Sequence, residues 1–260
     1  MDTPIVTLTT DWGENGFFAG MVKGLLCQLI EGVRIVDVTH RLEPYNVKAA
    51  TFVVRHACTG FPAGTVHIID VATRTPFLAL KAYGQYYLCC DNGLPAMVFG
   101  DHIEEAVQIE VQPNGVYNFA AYTVFARAAA RLATGSPLSA IGVPAGTLMQ
   151  GTVPGYMQQG EGYTLFIHFF DSYGNAYLGM SYKEFEELRA GRPFMLKIRD
   201  QEVTELSAGY YRHPASADPR HKLQLTVSAT GLLELAFKEG SLQQLLGLRV
   251  YDPATLIFRN

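Results

Sequence analysis

Asp11, Asp37 and Asp70 each fall at or just past the end of a run that reads as a β-strand. In open α/β sheets ligands bind beyond the carboxyl ends of the strands, so acidic side chains there could meet a polar ligand. Each also has a plainer reading, as a helix cap or a solvated loop residue. A carboxylate beside a glycine can hold a ribose diol, because it accepts hydrogen bonds from two adjacent hydroxyls. Asp11, in Asp11-Trp12-Gly13, fits that description. Further along, Asp171-Ser172-Tyr173-Gly174-Asn175 has the composition of a turn. Its Asp171 can accept from an ammonium group, and its Asn175 both donates and accepts.

The usual catalytic signatures are absent. There is no GxGxxG, Walker lysine, GxSxG or HExxH pattern, and no His/Cys cluster at metal-ligand spacing, so no metal and no bound cofactor are expected. His40, His67 and His168 lie in or beside apolar runs, where a satisfied structural histidine is the plainer reading. Cys89 and Cys90 are adjacent in a strand-like run, so they should face opposite sides.

The elements that must position these groups are legible in the periodicity. Ile5 to Thr9 is β-branched and alternating, and from Phe17 to Ile30 apolar residues recur at helical spacing. Strands follow at Arg34 to Val38 and Thr65 to Val71, with a helix between them from Val47 to about Cys58. Phe77 to Cys89 reads as a hairpin about Gly84, Val107 to Val111 as a strand, and Val124 to Thr134 as a helix closed by Gly135. Strands alternating with helices predict an α/β domain over 1–145, its mixed, mostly parallel sheet flanked by helices. The Gly- and Pro-punctuated stretch 146–162 is the expected linker. A smaller β-rich domain is expected over 163–260. Its strands are read at Tyr163 to Phe170, Phe194 to Ile198, Lys222 to Val227, Leu232 to Phe237 and Leu248 to Tyr251, and its helices at Tyr182 to Arg189 and Ser241 to Leu246.

The 260 residues carry a net charge of -4, with Lys and Arg scattered, which gives no electrostatic footprint for nucleic acid. No apolar run approaches the roughly 20 residues that cross a bilayer. The opening Met1-Asp2-Thr3-Pro4 has no basic and then apolar region of a secretory signal, so a soluble, cytoplasmic protein is expected. Only 17% of residues are charged, against about 25% in an average globular chain. A surface so short of charge is expected to be covered in part by other subunits.

Several of these segments, in order, resemble one family. Thr9-Thr10-Asp11-Trp12-Gly13 with Lys23-Gly24, Ile35-Val36-Asp37-Val38-Thr39-His40 with Pro44, Phe61 to His67, Asp91-Asn92-Gly93-Leu94, Asp171 with Gly174 and Asn175, and Gly231 to Ala236 together resemble the S-adenosylmethionine (SAM) hydroxide adenosyltransferases, relatives of fluorinase and chlorinase. The resemblance implies an N-terminal α/β domain, a small C-terminal β-barrel, and a homotrimer whose ligand lies between one subunit's N-domain and its neighbour's C-domain. It implies SAM as substrate, attacked by water at C5′ to give adenosine and methionine. By position, Asp11 would bind the ribose hydroxyls, Tyr45 and Phe119 would pack on the ligand, and Asp171 and Asn175 would hold the methionine end. Asp70 and Arg74 would handle the water.

The chain departs from the family where water is positioned. The family's glycine-rich DPGVG loop is shorter here and reads Asp70-Val71-Ala72-Thr73-Arg74-Thr75-Pro76. Its FHGRD segment reads Phe119-Ala120-Ala121-Tyr122-Thr123, with Ala120 in the histidine's place. The halide-site segments of fluorinase are also absent, which argues against a halogenase. SAM hydrolysis is the expected activity, and an adenosine- or SAM-binding homologue without turnover is the alternative.

Overall fold

The run Val66–Asp70 forms a strand whose five residues are all buried. Both its faces are covered, since Val66 and Ile68 enter one core and Ile69 enters another. A strand of this kind belongs inside a sheet with helices on both sides. The computed structural model describes residues 3–112, 115, 117–209, 223–238 and 240–259. Met1, Asp2 and Lys222, on which part of the reading above rests, lie outside them. The chain divides into two compact units, Met1–Val153 and Pro154–Asn260.

The first unit contains β1 (Ile5–Thr10), α1 (Phe18–Leu29), β2 (Arg34–Thr39), α2 (Val47–Val53), β3 (Val66–Asp70), β4 (Phe77–Ala82), β5 (Gln85–Cys90), α3 (Leu94–Phe99), β6 (Ile103–Ile109), α4 (Ala126–Ala133) and β7 (Gly142–Pro144). A π-helical turn, Val54–Cys58, extends α2, and another, Ala121–Phe125, leads into α4. The seven strands form one sheet in the order β2-β1-β3-β5-β4-β6-β7. Its first four strands run parallel, and β4, β6 and β7 complete it antiparallel, so the sheet is mixed. Val22 and Leu26 of α1 and Ala129 and Leu132 of α4 cover one face, against Leu8, Ile68 and Leu88. Ala50 of α2 and Val98 and Phe99 of α3 cover the other, against Ile69, Leu80 and Tyr87. Cys90 lies in the first of these cores and Cys89 in the second, as strand alternation requires.

The second unit contains β8 (Tyr156–Gln159), β9 (Gly162–Phe170), β10 (Ala176–Ser181), α5 (Tyr182–Arg189), β11 (Phe194–Ile198), β12 (Gln201–Val203), β13 (Leu223–Val227), β14 (Leu232–Phe237), α6 (Leu242–Leu245) and β15 (Pro253–Phe258). Its eight strands make an antiparallel sheet in the order β12-β11-β15-β9-β10-β14-β13, with β8 also paired to β9. The two ends of that path nearly close into a barrel. Just past β12, Leu206 bridges to Leu225 of β13, and the Ser207 N–H donates to the Leu225 carbonyl at 2.7 Å. Helix α5 starts on a capping box, Ser181 with Glu184, at the boundary its sequence predicts. Within the expected linker 146–162, β8 is already paired with β9, Gln159 opposite Gly162.

One strand expectation fails. Leu248 to Tyr251 is not a strand; Leu248 is an anchor in the core, and the chain turns immediately after it. The Asp252 N–H donates to the Arg249 carbonyl, and the Asp252 carboxylate accepts from the Arg249 N–H, both at 3.0 Å. The strand begins only at Pro253, where Ala254, Leu256 and Phe258 alternate inward.

Candidate active site

The parallel register of β1 on β3 opposes Thr10 to Asp70, so the residue that follows β1, Asp11, emerges beside the end of β3. The loop Asp11-Trp12-Gly13 then crosses towards the end of β2, where the Gly13 N–H donates to the His40 carbonyl at 2.7 Å. Gly13 adopts a φ of +73°, a left-handed conformation that glycine tolerates without strain. Asp11 reaches the third connection as well: its Oδ2 accepts the Tyr45 N–H at 2.9 Å. No hydrogen bond among the described residues occupies its Oδ1. Tyr45, whose backbone Asp11 holds, is itself 80% exposed, so its aromatic side chain is open to a ligand.

Asp70 has a different environment. Only 3% of it is exposed, and two side chains donate to it. The Trp12 Nε1–H bonds Oδ2 at 3.0 Å, and the Thr73 hydroxyl bonds Oδ1. Burial raises the carboxyl above its ordinary range, and the charge of Asp11 adds to the rise; the bonds from Thr73 and Trp12 pull the other way without cancelling it. A carboxylate whose pKa is moved towards neutrality is suited to act as a base.

Trp12 is wedged between rings. It stacks on His40, with centroids 5.6 Å apart and planes at 13°, and meets Phe119 edge-on at 5.0 Å. His40 is held in turn by the Thr10 hydroxyl at 2.7 Å on Nδ1. Its Nε2 lies 3.2 Å from Asp37 Oδ1, without the alignment of a directed hydrogen bond. Asp37 itself pairs through its other oxygen with Lys23 of α1. Burial pushes its carboxyl upward, but the bond and charge of Lys23, together with His40, hold it below its ordinary value. It is thus an ion-pair residue, not a third carboxylate of the site.

Arg74 turns elsewhere. Its guanidinium contacts the Asp91 carbonyl at 3.4 Å and the Met149 sulfur at 2.7 Å, and no ion pair to Asp70 joins these among the described residues. Ala120 is fully buried in the core under Phe119 and presents no polar group.

In the second unit, Asp171 and Asn175 are brought together by their own turn. Asp171 Oδ1 accepts the Tyr173 and Asn175 N–H groups at 2.9 Å, and Oδ2 accepts the Asn175 side-chain amide at 3.0 Å. Three of the roughly four acceptor positions of the carboxylate are therefore used within the turn. Gly174 cannot be replaced here: its φ is +81°, and a Cβ would lie 2.1 Å from the Ser241 hydroxyl.

This arrangement of strand ends and loops coincides with two matching family profiles. The SAM hydroxide adenosyltransferase N-terminal domain matches residues 6–142, and the C-terminal domain of the same family matches residues 166–255. The chain belongs to the SAM hydroxide adenosyltransferase family. A relative from Salinispora tropica named (R)-S-adenosyl-L-methionine hydrolase is 29% identical, the alignment covering 96% of each chain. One of the same name from Thermus thermophilus is 28% identical over 97% of this chain and 99% of its own. A protein from Actinoplanes named fluorinase is 27% identical over a shorter span, 54% of this chain and 57% of its own. A crystal structure of a conserved protein from Thermotoga maritima superposes with a TM-score of 0.84 at 24% identity, covering 97% of this chain and 99% of that one, which establishes the shared fold.

Among the residues that the adenosyltransferase resemblance singles out, the structure gathers Asp11, Tyr45, Phe119 and Asp70 around the carboxyl ends of β1 and β3, and leaves the Arg74 guanidinium outside that group. Two residues that sequence reasoning did not assign also stand there. Trp12 and Thr73 are the donors to Asp70. The signal for Thr73 is its spacing, three residues after the aspartate, where a hydroxyl closes a local turn. The signal for Trp12 is an indole N–H directly after a site carboxylate, a donor that seeks a partner when buried.

Proposed function

We propose that this chain hydrolyses SAM at C5′ of the ribose, releasing adenosine and methionine. The observation that carries the reading is the pair of carboxylates on adjacent strand ends, Asp11 half-buried with Oδ1 free of any hydrogen bond among the described residues, and Asp70 buried with a raised pKa. The hydrolase name carried by relatives over nearly the full length supports it. The oxygen of water attacks C5′ while the C5′–S bond breaks, its electron pair leaving with sulfur as the neutral thioether of methionine. The proton of the attacking water passes to Asp70. A sulfonium leaves without acid assistance, so alignment and desolvation of water are the main needs, and positioning can contribute about 7 to 11 kcal/mol. No cofactor is required by this chemistry.

In this reading Asp11 holds the ribose hydroxyls, Tyr45 and Phe119 pack against the ligand, and Asp171 with Asn175 takes the methionine end through the acceptor position its turn leaves open. Asp70, rather than Arg74, acts on the water. Incubation of the purified chain with SAM is expected to yield adenosine and methionine in equal amounts, and a yield no greater than the uncatalysed background overturns the reading. Asp11→Ala is expected to weaken adenosine binding roughly 10- to 100-fold by calorimetry, the loss of hydrogen bonds to a charged acceptor.

The homotrimer implied by the resemblance belongs to the same proposal, with the ligand shared between neighbouring subunits. Light scattering at micromolar concentration is expected to give three times the chain mass, and a monomer would count against it. A cytoplasmic location is likewise proposed; no helix among the described residues is long and apolar enough to cross a membrane.

A further inference from the structure

The shortened loop and Ala120 leave a question that the geometry answers: what aims the base of this site. We propose that Trp12 is a positioning residue for the reaction, its indole N–H holding the Asp70 carboxylate ionised and oriented towards the attacking water. The inference rests on the hydrolytic reading above and deepens it.

Four observations converge on Trp12. It is the single tryptophan of the chain and follows Asp11 directly. Its Nε1–H lies 3.0 Å from Asp70 Oδ2, and Asp70 is buried, so water does not compete for that bond. The ring is fixed on both sides, stacked on His40 and met edge-on by Phe119. His40 is itself tied to Thr10, so the indole is braced from the end of β1 back to its own loop. Trp12 and Thr73 together use about two of the four lone-pair directions of Asp70, one on each oxygen, and leave the others for water. A hydrogen bond to the charged form favours ionisation, which matters at a site where burial and the neighbouring Asp11 charge oppose it. Without the donors, Asp70 would sit protonated over more of the working pH range and could not take a proton.

Among the described residues, few other titratable groups face this pair. Asp11 approaches Asp70 from the loop after β1, and the Cys90 thiol from β5, its own pKa pushed up to about 12 chiefly by burial and therefore silent near neutrality. His40 faces the indole, with Asp37 and Lys23 behind it.

Two measurements test the proposal. In Trp12→Phe the ring is kept and the N–H is lost. The acid limb of its kcat profile is expected to move up by about one to two pH units, with KM little changed, from the usual strength of a hydrogen bond to a charged group. Thr73→Val, which removes the other donor, is expected to move it in the same direction, and the substrate-free measurement below decides the proposal if Trp12→Phe does not fold. A fall in kcat that is uniform across pH, with no shift of the limb, would mean that the ring only packs, and would overturn the proposal.

The second measurement needs no substrate, so it separates this inference from the hydrolytic reading. Trp12 fluorescence of the unliganded protein is expected to titrate above the ordinary carboxylate range. That transition should persist in His40→Gln and disappear in Asp70→Asn. A transition lost in His40→Gln but kept in Asp70→Asn, or a flat signal in the unsubstituted protein, refutes the link between indole and carboxylate. If the fluorescence behaves as expected while SAM is not hydrolysed, the Trp12–Asp70 unit stands and the assigned reaction falls.

Discussion

Asp70→Asn is expected to lower kcat for SAM hydrolysis by about 10²- to 10⁴-fold, the usual contribution of a general base, and to leave the fold intact. The substitution is nearly isosteric, and its hydrogen bonds can be satisfied. The amide oxygen accepts the Trp12 N–H in place of Oδ2, and the amide nitrogen donates to the Thr73 hydroxyl, which reverses its role. Stability should not fall at neutral pH and is expected to rise. The Asp70 carboxyl is raised above its ordinary value chiefly by burial, so over the window above that value the folded chain keeps a proton the unfolded chain has released. Folding stability therefore decreases as pH rises through the window, and asparagine removes that decrease. Rates of methionine release and thermal unfolding at pH 5 and pH 8 measure both effects. Turnover above a tenth of the unsubstituted rate would mean that the base is elsewhere.

Such a site is legible in sequence only where the signal is local. The carboxylates at strand ends could be found because β1 and β3 announce themselves by alternation and by continuous apolar character, and because each is followed by loop residues. Their mutual placement could not, since it depends on β1 pairing in parallel with β3 and on Thr10 standing opposite Asp70. Asp37 carried the same signal as Asp11 and proved to be an ion-pair residue, because Lys23 on α1 lies within reach of its edge strand. Arg74 followed from the family's use of an arginine in this loop, although its separation from Asp70 differs by a few residues, and the shorter loop directs the guanidinium to the Asp91 carbonyl. Asp171 shows the opposite case. Its turn chemistry was readable from composition, and the structure adds that this chemistry consumes most of its acceptors. The strand expected at Leu248 to Tyr251 failed for a tertiary reason: Leu248 is buried as an anchor before a turn, and its apolar character marks packing, not pleating.

His67 is the other titrating group with a large expected effect, and it acts on stability. It is fully buried on β3, stacked on Tyr87 with centroids 4.6 Å apart. Its protonation state can be worked out from the groups around it. The Gln85 side-chain amide donates to the carbonyls of Thr59 and Phe61 at 3.1 and 2.8 Å, which turns its Oε1 towards His67. That oxygen also accepts the Tyr87 hydroxyl, so His67 Nε2, 2.5 Å away, must donate to it. Nδ1 is then the bare nitrogen and accepts the Thr7 hydroxyl at 2.7 Å. Every polar atom of the ring is satisfied in the neutral form, and a second proton would oppose the Thr7 donor. Burial is the main cause that lowers the pKa from 6.5 to about 4, with the Gln85 bond resisting. Between those values the unfolded chain binds a proton that the folded chain refuses, so stability is lost as pH falls through the window. At 1.36 kcal/mol per unit the loss is about 3 kcal/mol, a large share of an ordinary domain's stability. Denaturant unfolding at pH 7 and pH 4.5 should therefore show a steeper acid loss in the unsubstituted chain than in His67→Gln. The comparison is one of slopes, because carboxylates titrating over the same range contribute equally to both proteins, and His67→Gln also changes packing at every pH. Equal slopes would mean that the ring accepts its proton in the folded state and that the network around Gln85 rearranges to allow it.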